Sequence, residues 1–210
     1  MNDYLKYKNE LLGCNVCRQS NPPVIHNKAF PLFMNQPSKN YDILFVVEAP
    51  NFTDTVDEHK GYLTVDPNTD PSGKLFYELF TNELQFSIEN LFVTNSVLCL
   101  PVNKKGKYPA TAKLRSNCRN NLIKLIEEFA PIIVCPLGTV ALAATKSIDN
   151  HKYSRMKDAV AQETIWFNRI LFPLYHTSIL ARNKRNGRPE DLQREDWRKL
   201  NKLYNKLKAT

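Results

Sequence analysis

An unbroken apolar run from Ile43 to Val47 constrains the fold of this chain more than any other stretch. The run is too short to cross a membrane and rich in β-branched residues, which is typical of a parallel strand buried on both faces. Glu48 follows directly, and Pro50 cannot continue the strand's hydrogen bonding. A carboxylate at this point lies where open α/β sheets bind ligands. A helix-capping or surface glutamate fits the same pattern.

Further apolar runs predict strands, and apolar residues at helical spacing predict helices between them. The predicted strands after the first are Leu91–Thr94, Ile132–Cys135 and Ile170–Leu174, and the helices are Gly73–Leu84, Thr111–Phe129, Gly138–Thr145 and Pro189–Lys208. The alternation indicates one α/β domain over residues 1–210, a three-layer α/β/α sandwich around a central four-stranded parallel sheet. Ser20–Asn40 contains four prolines and is predicted to be an irregular wrap.

Polar side chains follow three of the predicted strands. Glu48 ends the first, Asn95 the second and His176 the fourth. The carboxyl ends of parallel strands meet at one edge of a sheet, so an acid, an amide and an imidazole are predicted to share a rim as a plausible active site. Each residue alone would be unremarkable, and a lone histidine after a strand is more often a structural hydrogen bonder.

The charge of the chain indicates a polyanionic partner. The formal net charge is +8 and the isoelectric point near 9.2, which makes nucleic acid the first candidate. Lys104, Lys105 and Lys107 lie in one predicted loop, and the Lys184-Arg185 pair lies in another. Because the start of the chain resembles neither a signal peptide nor a membrane span, we expect a cytoplasmic protein without a membrane partner.

The five cysteines allow a metal site without establishing one. Cys14 and Cys17 have the spacing of a two-ligand hook, whereas Cys99 and Cys118 are dispersed. Zinc ribbons usually have two close pairs, so this spacing argues mildly against zinc and allows a cubane cluster with dispersed ligands. Composition alone leaves an iron–sulfur cluster, zinc and no metal all open. Cys135 lies within a predicted core strand and is interpreted as a small buried apolar residue.

Four segments taken together resemble the uracil-DNA glycosylase superfamily, closest to its iron–sulfur-containing family-four members. Val47–Asn51 is similar to the family's Gly-Glu-Ala-Pro-Gly motif, and Thr94–Cys99 with Pro101 to its Thr-Asn-x-x-x-Cys-x-Pro segment. Ile132–Gly138 is similar to its buried strand and Leu-Gly turn, and Tyr175–Arg182 to its His-Pro-Ser-x-Leu-x-Arg motif.

The resemblance implies a glycosylase that excises uracil, or a related damaged base, from single- or double-stranded DNA in base excision repair. It implies a monomer with a structural 4Fe-4S cluster that ties the N-terminal segment to the rest of the domain. The implied catalytic residues are Glu48, Asn95 and His176; the implied substrate-binding residues are Ala49, Pro50, Asn51, Tyr62, Ser178, Leu180 and Arg182; and the implied cluster ligands are Cys14, Cys17, Cys99 and Cys118.

The resemblance and the chemistry of the reaction also suggest roles for these residues. Asn95 would read the Watson–Crick edge of uracil, and a neutral His176 would donate to uracil O2 as the base becomes anionic. Glu48 would orient the water or stabilise the sugar cation, with Asp54 and Asp57 as competing candidates for positioning the water. In addition, Leu180 could fill the space left by the flipped base, and Arg182 could hold a phosphate.

Departures from the family pattern keep other functions open. Val47 and Asn51 replace glycines, and Thr177 replaces a proline. One alternative is a catalytically inactive or repurposed member that binds nucleic acid, and another is a glycosylase for a different base such as hypoxanthine. A third, an α/β enzyme acting on free nucleosides or nucleotides, has only fold-level analogy in its favour.

Overall fold

The computed structural model describes most of the chain, namely residues 6, 9–11, 13–17, 24–28, 32–33, 41–50, 71–101, 110–183 and 187–209. For 24–28, 32–33 and 183 the backbone alone is described.

The described part of the chain contains both strands and helices. The strands are β1 (Val24–Lys28), β2 (Leu32–Phe33), β3 (Ile43–Val47), β4 (Phe92–Asn95), β5 (Cys99–Pro101), β6 (Ile133–Pro136), β7 (Thr164–Trp166) and β8 (Arg169–Leu171). The helices are α1 (Pro71–Glu78, followed by a π-helical turn, Leu79–Glu83), α2 (Ala112–Phe129), α3 (Thr139–Ile148), α4 (Met156–Ala159), α5 (Ile179–Asn183) and α6 (Glu190–Lys208), and a 3₁₀ turn covers Ile88–Asn90.

The central sheet has six strands in the order β2-β4-β3-β6-β8-β7. Strands β4, β3, β6 and β8 are parallel to one another, which confirms the predicted four-stranded parallel sheet. A short antiparallel strand extends the parallel sheet on each side, β2 beside β4 and β7 beside β8. The apolar strand β3 lies inside the sheet and is buried along its whole length.

Helices cover both faces of this sheet and bury a separate apolar cluster on each. Leu44 and Val46 point into a cluster with α2 and α3, whereas Phe45 points into a cluster with α1 and α6. The Phe45 ring stacks on Trp197 of α6 with centroids 5.2 Å apart. These two clusters make the three-layer α/β/α arrangement that the alternating pattern predicts. None of the helices within the described ranges is long and apolar enough to span a membrane.

The prediction of an irregular wrap over Ser20–Asn40 is wrong for part of its length. β1 and β2 lie in this segment, and β1 pairs antiparallel with β5, where Val24 is in register with Pro101. The pairing of β1 with β5 and that of β2 with β4 join parts of the chain that are far apart in sequence. No local alternation of apolar and polar residues therefore predicts them.

Two buried carboxylates, Glu83 and Asp196, form ion pairs with arginines in or just before α6. The Glu83 carboxylate, at the end of the π-helical turn, is buried and accepts hydrogen bonds from Arg194 (3.1 Å) and Arg198 (2.7 Å). Asp196 is 1% exposed and accepts two hydrogen bonds from Arg188, at 2.6 and 2.8 Å. A carboxylate paired in this way is stabilising only while its partner is present, because an unpaired buried charge is costly.

Candidate active site

The turn after β3 holds Glu48 through its main chain. The Ser96 N–H donates to the Val47 carbonyl at 2.7 Å, and the Glu48 carbonyl accepts from both the Ser96 hydroxyl (2.6 Å) and the Val97 N–H (3.1 Å). The Glu48 side chain is half-buried, and its Oε1 accepts from the Ala110 N–H at 3.4 Å. The carboxylate therefore faces the start of α2, with lone pairs left for other donors.

Asn95 is the last residue of β4 and lies beside Val47 in the parallel register. Its side chain is 2% exposed, and its Oδ1 has no hydrogen-bond partner among the described residues. A buried acceptor without a donor is destabilising by about 1–3 kcal/mol. Such an atom at the edge of a sheet is a candidate for binding a ligand donor.

The ring of His176 has a defined tautomer. Its Nδ1 accepts a hydrogen bond from the Ser178 N–H at 3.0 Å. A main-chain amide can only donate, so Nδ1 carries no proton, and the neutral imidazole carries its proton on Nε2. The side chain is half-buried, at the end of the stretch that follows β8.

Gly138 supports His176 from the end of the neighbouring strand β6. It has φ +85°, and its N–H donates to the Leu174 carbonyl at 2.8 Å. A Cβ at this position would lie 3.3 Å from the His176 Cβ. The turn therefore needs glycine for its backbone conformation, and the histidine packs where a larger residue would intrude.

The sheet brings the three predicted catalytic residues to one edge. Glu48 directly follows β3, and Asn95 is the last residue of the neighbouring parallel strand β4. Leu137 and Leu174 form a parallel bridge beyond β6 and β8, two residues before His176. The geometry thus agrees with the rim expected from the sequence, while the chemical roles of these residues remain predictions.

The other predicted substrate-binding residues differ in their exposure and in their contacts. Ala49 and Pro50 follow Glu48, and the Ser178 hydroxyl accepts from the Ala181 N–H at 3.3 Å at the start of α5. Leu180 is 70% exposed, next to the exposed Ile179. The guanidinium of Arg182 donates to Glu190 at 3.1 Å, so this arginine is ion-paired within the protein. Asn51, Tyr62, Asp54, Asp57 and the predicted basic residues Lys104, Lys105, Lys107, Lys184 and Arg185 lie outside the described residues.

Four cysteines line one cavity beside this edge of the sheet. They are the predicted ligands Cys14, Cys17, Cys99 and Cys118. Cys17, Cys99 and Cys118 are each 5% exposed, and the Asn117 side-chain amide donates to the Cys17 Sγ at 3.4 Å. Burial raises the pKa of the Cys118 thiol to about 11, so metal binding would have to displace its proton.

The spacing of these thiols is not that of a single-ion site. Within the described ranges, no three Cys, His, Asp or Glu side chains are grouped closely enough to hold one metal ion. A cubane cluster separates its thiolates more widely, because each thiolate binds a different iron atom. Four cysteines around one cavity are a donor set that suits an iron–sulfur cluster. Cys135 is fully buried in the core on β6, as predicted.

Comparison with known proteins identifies the family. The family model for the uracil DNA glycosylase superfamily matches residues 34–201 of the 210. The chain belongs to this superfamily.

Two proteins similar to this chain are named type-4 uracil-DNA glycosylases. A type-4 uracil-DNA glycosylase of Sulfurisphaera tokodaii is 22% identical over 209 residues, covering 97% of this chain and 86% of that protein. A type-4 uracil-DNA glycosylase of Saccharolobus solfataricus is 27% identical over 146 residues, covering 68% of this chain and 63% of that protein. The family predicted from the four sequence segments is confirmed.

Some contacts of this glycosylase-like site were not predicted from the sequence. The Ser96 hydroxyl reaches Glu48 across 48 residues, and the Ala110 N–H reaches it across 62. Thr177 was noted only as a substitution for proline, and its hydroxyl donates to the Ser72 carbonyl at 2.8 Å. Contacts between residues so far apart leave no periodic signal in the sequence. The signal that the sequence does contain is a serine or threonine directly beside a motif residue.

Proposed function

We propose that this protein is a DNA glycosylase that removes uracil by hydrolysing its N-glycosidic bond, as the names of its relatives indicate for those proteins. The observation that carries the proposal is the unpartnered, buried Oδ1 of Asn95 on the same edge of the sheet as Glu48 and His176. Three kinds of group are needed at such a site. One reads the base, one stabilises the departing base and one acts at the sugar or the water.

Asn95 would read the flipped base. Uracil presents an N3–H donor and an O4 acceptor side by side, and a side-chain amide has the matching acceptor and donor. Bringing the N3–H to Oδ1 would satisfy the buried acceptor. The site would then select against a base without this donor, because Oδ1 would stay unpaired.

His176 would stabilise the leaving base. As the glycosidic bond breaks, negative charge develops on the base, and a donor already fixed in place stabilises it without reorganising. The Ser178 N–H on Nδ1 keeps the proton on Nε2, which would donate to uracil O2. The imidazole would act as a neutral hydrogen-bond donor.

Glu48 would act on the other side of the scissile bond. Its carboxylate would stabilise the positive charge on the sugar or orient the attacking water. The Ala110 N–H occupies one lone pair of Oε1, and the remaining lone pairs are available for these tasks.

Leu180 would insert into the DNA where the base has been removed from the stack. It is the second residue of α5 and is 70% exposed, which suits a side chain that inserts between bases. Arg182, two residues further on, would contact a neighbouring phosphate only if it exchanged its pairing with Glu190.

Cys14, Cys17, Cys99 and Cys118 would hold a 4Fe-4S cluster, which would crosslink the N-terminal segment to β5 and α2. Anaerobically purified protein should contain about four irons per chain, and serine at Cys17 or Cys118 should abolish iron binding. Alanine at Cys135 is the control that should keep the iron. Stoichiometric zinc without iron would contradict the cluster.

We further propose that the protein works as a monomer in the cytoplasm, where a reducing environment keeps cysteines free. No disulfide bond joins any of the five cysteines in the structure. Size-exclusion chromatography with light scattering should give the mass of one chain, 24.3 kDa, and a dimer mass would contradict the monomer.

The central experiment uses oligonucleotides that carry uracil, hypoxanthine or no lesion, in single- and double-stranded form, followed by alkaline cleavage of abasic sites. We expect cleavage at uracil. The His176→Ala variant should bind DNA normally and cleave it about 100- to 1000-fold more slowly. Tight DNA binding without any cleavage would favour the nucleic-acid-binding alternative, and cleavage at hypoxanthine alone would favour a different base.

A further inference from the structure

Thr177 connects the loop that carries His176 to a distant helix. It is 1% exposed, and its hydroxyl donates to the carbonyl of Ser72 at 2.8 Å. Ser72 lies in the first turn of α1, 105 residues away in the sequence. A buried hydroxyl that makes one tertiary hydrogen bond limits where its own main chain can lie.

The residues on either side of Thr177 form the hydrogen bond that sets the tautomer of His176. Before it stands the imidazole, and after it the Ser178 N–H that donates to Nδ1. The orientation of this N–H depends on the peptide between Thr177 and Ser178, so anchoring Thr177 also fixes the direction of the donor. A proline would restrict the same loop differently, by locking its own φ.

We propose that Thr177 is a positioning residue: its hydroxyl holds the 176–178 loop against α1, so that the Ser178 N–H stays on Nδ1 and the proton of the neutral His176 ring stays on Nε2. The inference rests on the proposed uracil excision for its effect on rate, but its structural part does not require activity. It adds to the site a residue that touches neither the base nor the sugar.

Replacing Thr177 with valine removes the hydroxyl and keeps the shape of the side chain. We expect single-turnover excision of uracil to slow about fivefold to tenfold, the rate equivalent of one hydrogen bond of ordinary strength, with unchanged affinity for DNA. Serine keeps the hydroxyl and should restore the rate. Proline, which restrains the loop without a hydroxyl, should restore most of it.

Thr81→Val is the matched control. The Thr81 hydroxyl also donates to a main-chain carbonyl, that of Tyr77, at 2.9 Å, but it lies on the π-helical turn away from the rim. Its loss should leave the rate unchanged. An equal slowing in both valine variants would overturn the inference, because the effect would then be a general cost of losing a hydroxyl.

The tautomer of His176 provides a readout that does not depend on catalysis. In ¹⁵N-histidine NMR spectra, assigned with His176→Ala, the wild type should show the Nε2–H form, and Thr177→Val should show a mixture of both forms. A wild-type rate or an unchanged tautomer in Thr177→Val would overturn the inference. If the wild type excised no base while the tautomer still shifted in Thr177→Val, the proposed function would fail and the positioning role would stand.

Discussion

Replacing Gly138 with alanine tests whether the turn after β6 positions His176. Gly138 has φ +85° and ψ 176°, a conformation that glycine alone adopts readily, and an alanine held there would be strained by about 1–3 kcal/mol. Because each kcal/mol shifts the melting temperature of a domain of this size by about 2–4 °C, we expect a fall of roughly 2–12 °C.

The added methyl group should also displace His176. Its carbon would lie 3.3 Å from the His176 Cβ, inside the separation of about 3.5–4.0 Å at which two carbons are in contact. The histidine must then move by a few tenths of an ångström. A misplacement of about 1 Å costs on the order of 100-fold in rate, so a third of that distance corresponds to roughly fivefold slower excision.

Both effects can be measured on the same protein preparation, by thermal unfolding and by single-turnover excision from a uracil-containing strand. Gly13→Ala is the control, since nothing lies within 4 Å of the Cβ that it would add. If Gly138→Ala lost stability but cleaved at the wild-type rate, the turn would not position the histidine. An unchanged melting temperature would refute the argument from backbone strain.

Three further predictions concern pH, ion pairing and salt. Burial lowers the pKa of the His151 imidazole from its ordinary 6.5, so below about pH 6.5 the unfolded chain binds a proton that the folded protein does not. The free energy of unfolding, measured with urea, should therefore fall from pH 7 to pH 5. It should fall less in the His151→Gln variant. Asp196→Ala should lower the free energy of unfolding by about 3–5 kcal/mol, because it leaves Arg188 unpaired. Asp158→Ala, which breaks the exposed pair with Arg155, should cost less than about 1 kcal/mol; equal losses in the two variants would contradict the argument from burial. With a net charge of +8, affinity for DNA should fall steeply between low and physiological salt, and a flat salt dependence would count against phosphate contacts.

The central strands β3, β4 and β6 were predictable because each is a short run buried along its whole length. Ile43–Val47 was predicted with the bounds that the structure gives it. The edge strands were not predictable in this way. β2 has two residues and β7 has three, too few to show an alternating pattern, and their pairing depends on partners supplied by the sheet.

Helix positions were predicted better than helix geometry. The apolar spacing after Gly73 correctly indicated a helix, but α1 begins at Pro71 and turns π-helical at Leu79. Ion pairs between Glu83 and α6 lie at the end of that turn. Interactions of this kind are set by tertiary packing, which the local sequence does not contain.

The candidate site was predictable as a set of strand ends and not as a set of contacts. Topology alone placed Glu48, Asn95 and His176 on one edge. The groups that hold them, such as the Ser96 hydroxyl on Glu48 and the Gly138 turn beneath His176, depend on side-chain packing between distant parts of the chain.

The segment between Asn95 and Cys99 couples the candidate site to the cysteine cavity mechanically. β4 ends at Asn95 and β5 begins at Cys99, so only three residues, all buried, connect the amide of the candidate site to a cysteine of the cavity. Such a short connection has no slack to absorb a rearrangement at one end. We therefore expect any change that shifts the backbone at Cys99 to be passed on to Asn95.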